Sequence, residues 1–96
     1  MKYDKLFETA KIGSLTLKNR FIMGAMGVGF AEMNGNPTDR TVAYYEERAK
    51  GGYALIITEV TRVQDTEFCT PLEPSLGSDK FIPGWKKVTD AVHAQG

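Results

Sequence analysis

The stretch Phe21-Ile22-Met23-Gly24-Ala25-Met26-Gly27-Val28-Gly29 constrains this chain more than any other. It starts as an apolar strand, Phe21 to Met26, and runs out into small residues. With glycines at its end, a strand has no side chains to hold a partner away, so a flat group can lie against the main chain. A second apolar strand, Ala54-Leu55-Ile56-Ile57-Thr58-Glu59-Val60, follows after one helix. Strand, helix, strand is a βαβ unit, and ligands of such units gather at the carboxyl ends of the strands. The first strand is nearly all apolar or small, which predicts burial on both faces, as in a parallel sheet with helices outside.

The flanking segments frame this unit. Leu6 and Phe7 are the expected anchors of a polar lead-in. Lys11 to Arg20 reads as a hairpin, with Gly13-Ser14 as the turn and Leu15 and Leu17 alternating with Thr16 and Lys18. The loop from Gly27 to Pro37 is long for a βα connection, and loops on the carboxyl side of a strand often carry function. Thr38 or Asp39 should cap a helix running through Thr41–Lys50, with Val42, Tyr45 and Ala49 on one face and Glu46–Lys50 as an i,i+4 pair on the wet side. Gly51-Gly52 stops it. After a stretch broken by Pro71, Pro74 and Gly77, Ser78-Asp79 should cap a second helix. Its apolar face is Ile82, Trp85, Val88 and Val92, and Pro83 lies in its first turn.

Composition excludes several classes. Twelve basic and twelve acidic residues cancel. Nothing attracts a polyanion, so neither nucleic acid nor an anionic membrane is expected as the main partner. No apolar run approaches a bilayer span, and Met1–Lys5 leads into no signal-peptide core. The single cysteine, Cys69, cannot form an internal disulfide and fits a reducing compartment, so a cytoplasmic protein is expected. Two parallel strands with helices on one face leave the other face and the sheet edges bare. This favours an N-terminal piece of a larger α/β barrel over a complete domain. The other class of reading is a non-catalytic fragment or self-assembling structural module that buries its edges against copies.

Leu6-Phe7, the run Ile12 to Arg20, Pro37-Thr38-Asp39, Tyr45, Arg48 to Gly52, Leu55 to Glu59 and Trp85 to His93 occur in an order and spacing that closely resembles the start of the old yellow enzyme family of NADH:flavin oxidoreductases. The Met23-Gly24-Ala25-Met26 run is more similar to the 2,4-dienoyl-CoA reductase and enoate reductase branch. The resemblance covers essentially the whole chain. It implies an α/β fold, the N-terminal portion of a (β/α)8 TIM barrel: the bottom hairpin plus the first two βα units, with residues 1–96 the N-terminal part of an FMN-binding domain. It implies FMN contacts at Gly24, Ala25, Met26, Gly27 and Val60, and a substrate contact at Gly29. NAD(P)H is the implied reductant, and the C=C bond of an enone or enoyl-CoA the implied acceptor. A homo-oligomer is implied as well, and a 4Fe–4S cluster and FAD have room in later parts of a longer protein. Relatives carry the carbonyl-polarising pair and the proton donor on later strands, so the catalytic residues are not among these 96. Two positions depart from the family. Most relatives have Ala-Pro at Gly24-Ala25, and many have Thr or Cys at Gly27. The latter side chain tunes the flavin by hydrogen bonding, so the family's potential and hydride-transfer rate do not carry over.

Other readings stand beside these. Gly24, Ala25 and Gly27 could serve only tight barrel packing. Gly24, Gly27 and Gly29 make G-x-x-G-x-G, which is not the dinucleotide fingerprint G-x-G-x-x-G. Glu59 could be a general acid or base, but a carboxyl ending an apolar strand is more often held by hydrogen bonds to neighbouring loops. His93 fits the dipole of a helix end and has no partners for a metal site. Cys69 stands alone, which argues against cluster ligation. Tyr44 and Tyr45 read as helix packing, and Trp85 as a core anchor.

Overall fold

In the computed structural model, which describes residues 2–64 and 72–96, the chain forms α1 (Asp4–Phe7), β1 (Ala10–Ile12), β2 (Leu15–Leu17), β3 (Ile22–Met23), α2 (Asp39–Lys50), β4 (Leu55–Ile56) and α3 (Ile82–His93), the last led in by a 3₁₀ turn at Asp79–Phe81. Cys69 and Pro71 lie outside the described residues.

β1 and β2 pair antiparallel, Ala10 opposite Leu17 and Ile12 opposite Leu15. Gly13, at φ 58°, takes the left-handed position of their turn. Leu17 is buried and Leu15, beside the turn, is exposed. Leu6 and Phe7 are exposed too, so α1 is not a buried anchor; Phe7 instead rests its ring against Phe21, centroids 5.4 Å apart. The Asn19 side chain donates to the Gly52 carbonyl (2.8 Å) and accepts from the Phe21 N–H (2.9 Å). It thereby ties the hairpin exit to the approach to β4, at the amino ends of β3 and β4.

β3 and β4 pair parallel, Ile22 opposite Leu55 and Met23 opposite Ile56. One further bond closes each end: Ala54 N–H to the Phe21 carbonyl and Ile57 N–H to the Met23 carbonyl, both 3.0 Å. The paired core is shorter than the apolar runs Phe21–Met26 and Ala54–Val60. Burial on both faces is also absent: Ile22 is 44% and Ile57 48% exposed. A strand is covered on both faces only where a layer lies on each, and α2 and α3 supply one layer.

Thr38, rather than Asp39, caps α2. Its Oγ1 accepts the Thr41 N–H (3.3 Å) while Thr41 Oγ1 accepts the Thr38 N–H (3.1 Å), a reciprocal box. Gly51 closes the helix onto the Glu47 and Arg48 carbonyls, and Gly52, at φ 108°, turns the chain away. Thr41, Tyr45 and Ala49 form the buried face, with Val42 half-buried. In α3 the buried face runs Phe81, Trp85, Val88, with Val92 packed beside it. Ile82 is 55% exposed, contrary to its place in the apolar pattern. Phe81, in the 3₁₀ turn, occupies the inward position, and the next residue is rotated by about 100°. Ser78 makes no side-chain cap; its carbonyl accepts the Phe81 N–H at 3.3 Å. Tyr45, Phe81, Trp85 and Val88 form the core between α2 and α3, with Val42, Tyr44 and Ile56 against it. Burying side chains of this size contributes about 1.5–3 kcal/mol each.

The loops interlock above that core. Ala31 N–H reaches the Leu72 carbonyl, Ser75 N–H that of Gly35, Arg62 N–H that of Pro74 and Leu76 N–H that of Arg62. Between them Arg62 Nε lies 3.8 Å from Glu73 Oε1, both side chains buried. Gly35, at φ 99°, sits under this pair. A Cβ there would strike Arg62 Nη2 and come within 2.7 Å of the Ser75 Cβ, so the turn and the close approach both require glycine.

Candidate functional site

The parallel register puts the carboxyl ends of β3 and β4 side by side, and Gly24–Gly27 and Val60 follow those ends. Gly24, Ala25, Met26 and Gly27 are all exposed, Met26 to 63%, and Val60 is 43% exposed. The segment lies in no helix, and among the described residues a Cβ at Gly24 or Gly27 would meet nothing within 4 Å. Among the described residues, none hydrogen-bonds the main chain of Gly24 to Gly27. Among the described residues these four N–H and C=O groups have no partner, and little side chain lies over them. Gly29, at φ 69°, turns the chain beyond.

Glu59 and Tyr45 meet beside this segment. Glu59 is 3% exposed. Its N–H donates to the Tyr45 hydroxyl at 2.8 Å, and that hydroxyl lies 3.5 Å from Glu59 Oε2, the long limit of a hydrogen bond. The backbone N–H groups of Val28 and Gly29 lie near enough to the Glu59 carboxyl to favour its charged form. Burial pushes the Glu59 carboxyl above the ordinary glutamate range. The N–H groups of Val28 and Gly29 and the Tyr45 hydroxyl pull it partly back, and the Glu73 charge pushes it further up. The Tyr45 hydroxyl is pushed up to about 12, chiefly by burial, so it stays protonated across the working range. The expectation that Glu59 is held by hydrogen bonds is met at its main-chain N–H, by Tyr45 of α2 rather than by a loop. Tyr45 does more than pack.

Of the residues singled out in the sequence, Gly29 is brought to Glu59, the neighbour of Val60, while Gly24–Gly27 stay open at the end of β3. Trp85 is a core residue whose Nε1–H donates to the Ser75 carbonyl at 2.8 Å. Tyr44 packs edge-on against Tyr45 and Phe30 and carries the Arg48 guanidinium 4.2 Å from its ring centroid. His93 is exposed in the last turn of α3. Sequence reasoning missed the Tyr45 hydroxyl and the buried Arg62–Glu73 pair. The clue to the first was Glu59 itself, a carboxyl at the end of an apolar strand that needs a donor nearby. A groove of about 510 Å³ lies between the N-terminal ends of α2 and α3, lined by Asn36, Pro37, Gly84 and Lys87 among others. It includes none of the expected site residues. Among the described residues there is no group of three acidic, His or Cys side chains placed to hold a metal, and no helix is long and apolar enough to cross a membrane.

Comparison with known proteins bears on these ends of strands. The chain is 37% identical to a cinnamate reductase of Clostridium sporogenes over 99% of its own length and 15% of the relative's. It superposes on the old yellow enzyme of Trypanosoma cruzi with a TM-score of 0.89 and 36% identity, covering all of this chain and 26% of that one. It superposes on a 2-naphthoyl-CoA reductase with a TM-score of 0.93 and 33% identity, covering 98% of this chain and 14% of that one. These solved relatives are TIM barrels, so the hairpin and the two βα units correspond to a part of that barrel. The chain spans about a seventh to a quarter of the relatives it matches. Residues 5–96 match the NADH:flavin oxidoreductase / NADH oxidase family, and the chain belongs to it.

Proposed function

We propose that residues 1–96 are the N-terminal part of an FMN-binding TIM-barrel oxidoreductase domain, and that the protein reduces the C=C bond of an α,β-unsaturated carbonyl or enoyl-CoA compound at the expense of NAD(P)H. One observation carries this reading: among the described residues, Gly24–Gly27 is open main chain without a hydrogen-bond partner at the carboxyl end of a parallel strand. The segment fits a planar redox ring. Open space beyond Gly24 and Gly27 lets a ring lie on the backbone, and free N–H and C=O groups can bond its polar edge. Gly24, Ala25, Met26 and Gly27 would hold FMN from the first strand and Val60 from the second, with Gly29 on the substrate side. When bound, FMN supplies the hydride chemistry between nicotinamide and alkene. The residues of this chain bind and orient; the groups that polarise substrate and deliver a proton belong to strands beyond β4, so residues 1–96 alone are expected to be inactive. The relatives' names, a cinnamate reductase and a 2-naphthoyl-CoA reductase, support a conjugated acid or thioester as substrate class. The same reading makes the protein a cytoplasmic homo-oligomer and puts any 4Fe–4S cluster and FAD outside these residues.

The test is direct. Full-length protein should purify yellow, release FMN on denaturation, and oxidise NADH or NADPH anaerobically when given cinnamate or an enoyl-CoA. A colourless, FMN-free full-length protein that does not take up added FMN would overturn the reading.

A further inference from the structure

We propose that Arg62 is a positioning residue for the substrate side of the site: its buried guanidinium, lodged between Glu73 and Gly35, locks the loop after β3 onto the loop after β4 and so fixes where Gly29 stands. The proposal rests on the reading above that Gly29 faces substrate, and it adds what holds that loop in place.

Arg62 and Glu73 are 6% and 1% exposed, and Arg62 Nε lies 3.8 Å from Glu73 Oε1. Both belong to the loop after β4. Its two arms are joined there by a parallel bridge between Arg62 and Ser75: Arg62 N–H donates to the Pro74 carbonyl (2.9 Å) and Leu76 N–H to the Arg62 carbonyl (2.8 Å). The core indole of Trp85 donates to the Ser75 carbonyl at 2.8 Å, so this neck is fixed to α3. The loop after β3 comes onto the neck at two points. Ser75 N–H donates to the Gly35 carbonyl at 2.8 Å, and Ala31 N–H to the Leu72 carbonyl at 3.2 Å. Between those points Glu32 to Asn36 close a turn on themselves, with Glu32 N–H on the Asn36 carbonyl and Gly35 N–H on the Glu32 carbonyl. The guanidinium packs against that turn so closely that a Cβ on Gly35 would overlap Arg62 Nη2. Gly29 is two residues from Ala31, and the Phe30 carbonyl between them accepts the Thr38 hydroxyl at 2.6 Å. A turn held at Gly35 and Ala31 therefore sets the path of the chain back to Gly29. Stability alone does not account for the pair. Two buried charges cost more to strip of water than apolar side chains of the same volume, whereas a planar guanidinium meets a carboxylate and a backbone turn in one geometry. Gly24–Gly27, on the flavin side, precede this contact and follow directly from β3.

The experiment uses full-length protein and the double variant Arg62→Met with Glu73→Leu, which replaces both charges by apolar side chains of comparable length. Hydrogen exchange at the Ala31 and Ser75 amides should speed about tenfold, while amides in the middle of α2 and α3 exchange as in the parent. KM for cinnamate or an enoyl-CoA should rise about tenfold, with the FMN dissociation constant within about threefold of the parent. Arg62→Lys keeps the charge pair but not the planar fork, and should raise KM about threefold or more. Should the double variant not fold, Arg62→Lys carries the test. Parent-like exchange at Ala31 and Ser75, or a parent-like KM, overturns the proposal. So does exchange that speeds equally throughout α2 and α3, because the pair would then support the whole fold rather than one loop. A parent that binds no FMN and reduces no alkene fails the function reading instead. Exchange at Ala31 and Ser75 needs no turnover, and it then decides whether the pair holds the loop.

Discussion

Gly24 is the position at which the ligand's demands and the fold's demands separate. A Cβ there meets nothing among the described residues within 4 Å, and its φ is not in the left-handed region. Gly24→Val should therefore leave the melting temperature of the full-length protein nearly unchanged while weakening FMN binding about tenfold or more, because the new methyls stand where the ring would lie. Equal losses of stability and affinity would instead mark Gly24 as a packing glycine. Glu59 allows a second separation, by pH. Its folded-state value lies above the ordinary 4.5, so the fold favours the neutral carboxyl. That contribution is complete below the unfolded value and is lost as pH rises through the folded one. Tyr45 stays protonated throughout, and Glu73, the other acid facing Glu59, is paired with Arg62. Glu59→Gln has no such loss. Its stability relative to the parent should climb as pH rises from the unfolded value through the raised folded one, whatever constant offset the lost charge introduces. Urea midpoints across that range measure it, and a flat difference would mean that burial does not bias the carboxyl.

At the scale of the element, the cap of α2 joins helix to loop. The Thr38 hydroxyl accepts from Thr41 N–H and donates to the Phe30 carbonyl, so its removal frees the helix end and the residue next to Gly29 together. Thr38→Ala should lower stability by about 1–2 kcal/mol, seen as a lower urea midpoint at unchanged slope. This helix is legible in the sequence because punctuation marks both ends: Thr38 and Thr41 at one, Gly51 and Gly52 at the other. α3 is legible in existence and length, yet its buried face is misread by one residue. Periodicity counted from Ile82 cannot reveal a 3₁₀ turn that swings Phe81 inward ahead of Pro83. The strands are misread in the other direction. Apolar composition records how much cover a barrel gives a strand, whereas pairing needs a neighbour, and among the described residues the parallel pair is Ile22–Met23 with Leu55–Ile56, with one further bond at each end. The open stretch at Gly24–Gly27 is visible in the sequence as missing side chains. The anchors around it are not, because Tyr45–Glu59 and Arg62–Glu73 are brought together across loops whose path no local pattern encodes.

The whole molecule is drawn out rather than round. Its radius of gyration is 14.8 Å and its extents are 48 × 24 × 21 Å. A compact chain of this length would have a radius near ~12.5 Å. The excess has a structural source: one helical layer covers one face of a two-stranded parallel sheet, while Ile22, Ile57, Met26 and Val60 stand exposed and, among the described residues, both sheet edges are unpaired. In a closed barrel those edges are paired by further strands, and the inward faces fill with side chains from several of them. The 96-residue polypeptide prepared by itself should therefore bind a hydrophobic dye, elute at a mass that grows with concentration, and melt without a sharp cooperative transition. Size-exclusion chromatography with light scattering divides the two ways this can happen. Open-ended association means that the exposed faces are waiting for the rest of a barrel. A discrete oligomer with a cooperative melt means that copies of the chain satisfy those faces for each other, as a self-assembling module would. A monodisperse monomer with a sharp melt and no dye binding contradicts both, because it would require α2 and α3 alone to stabilise a sheet that is bare on its other side.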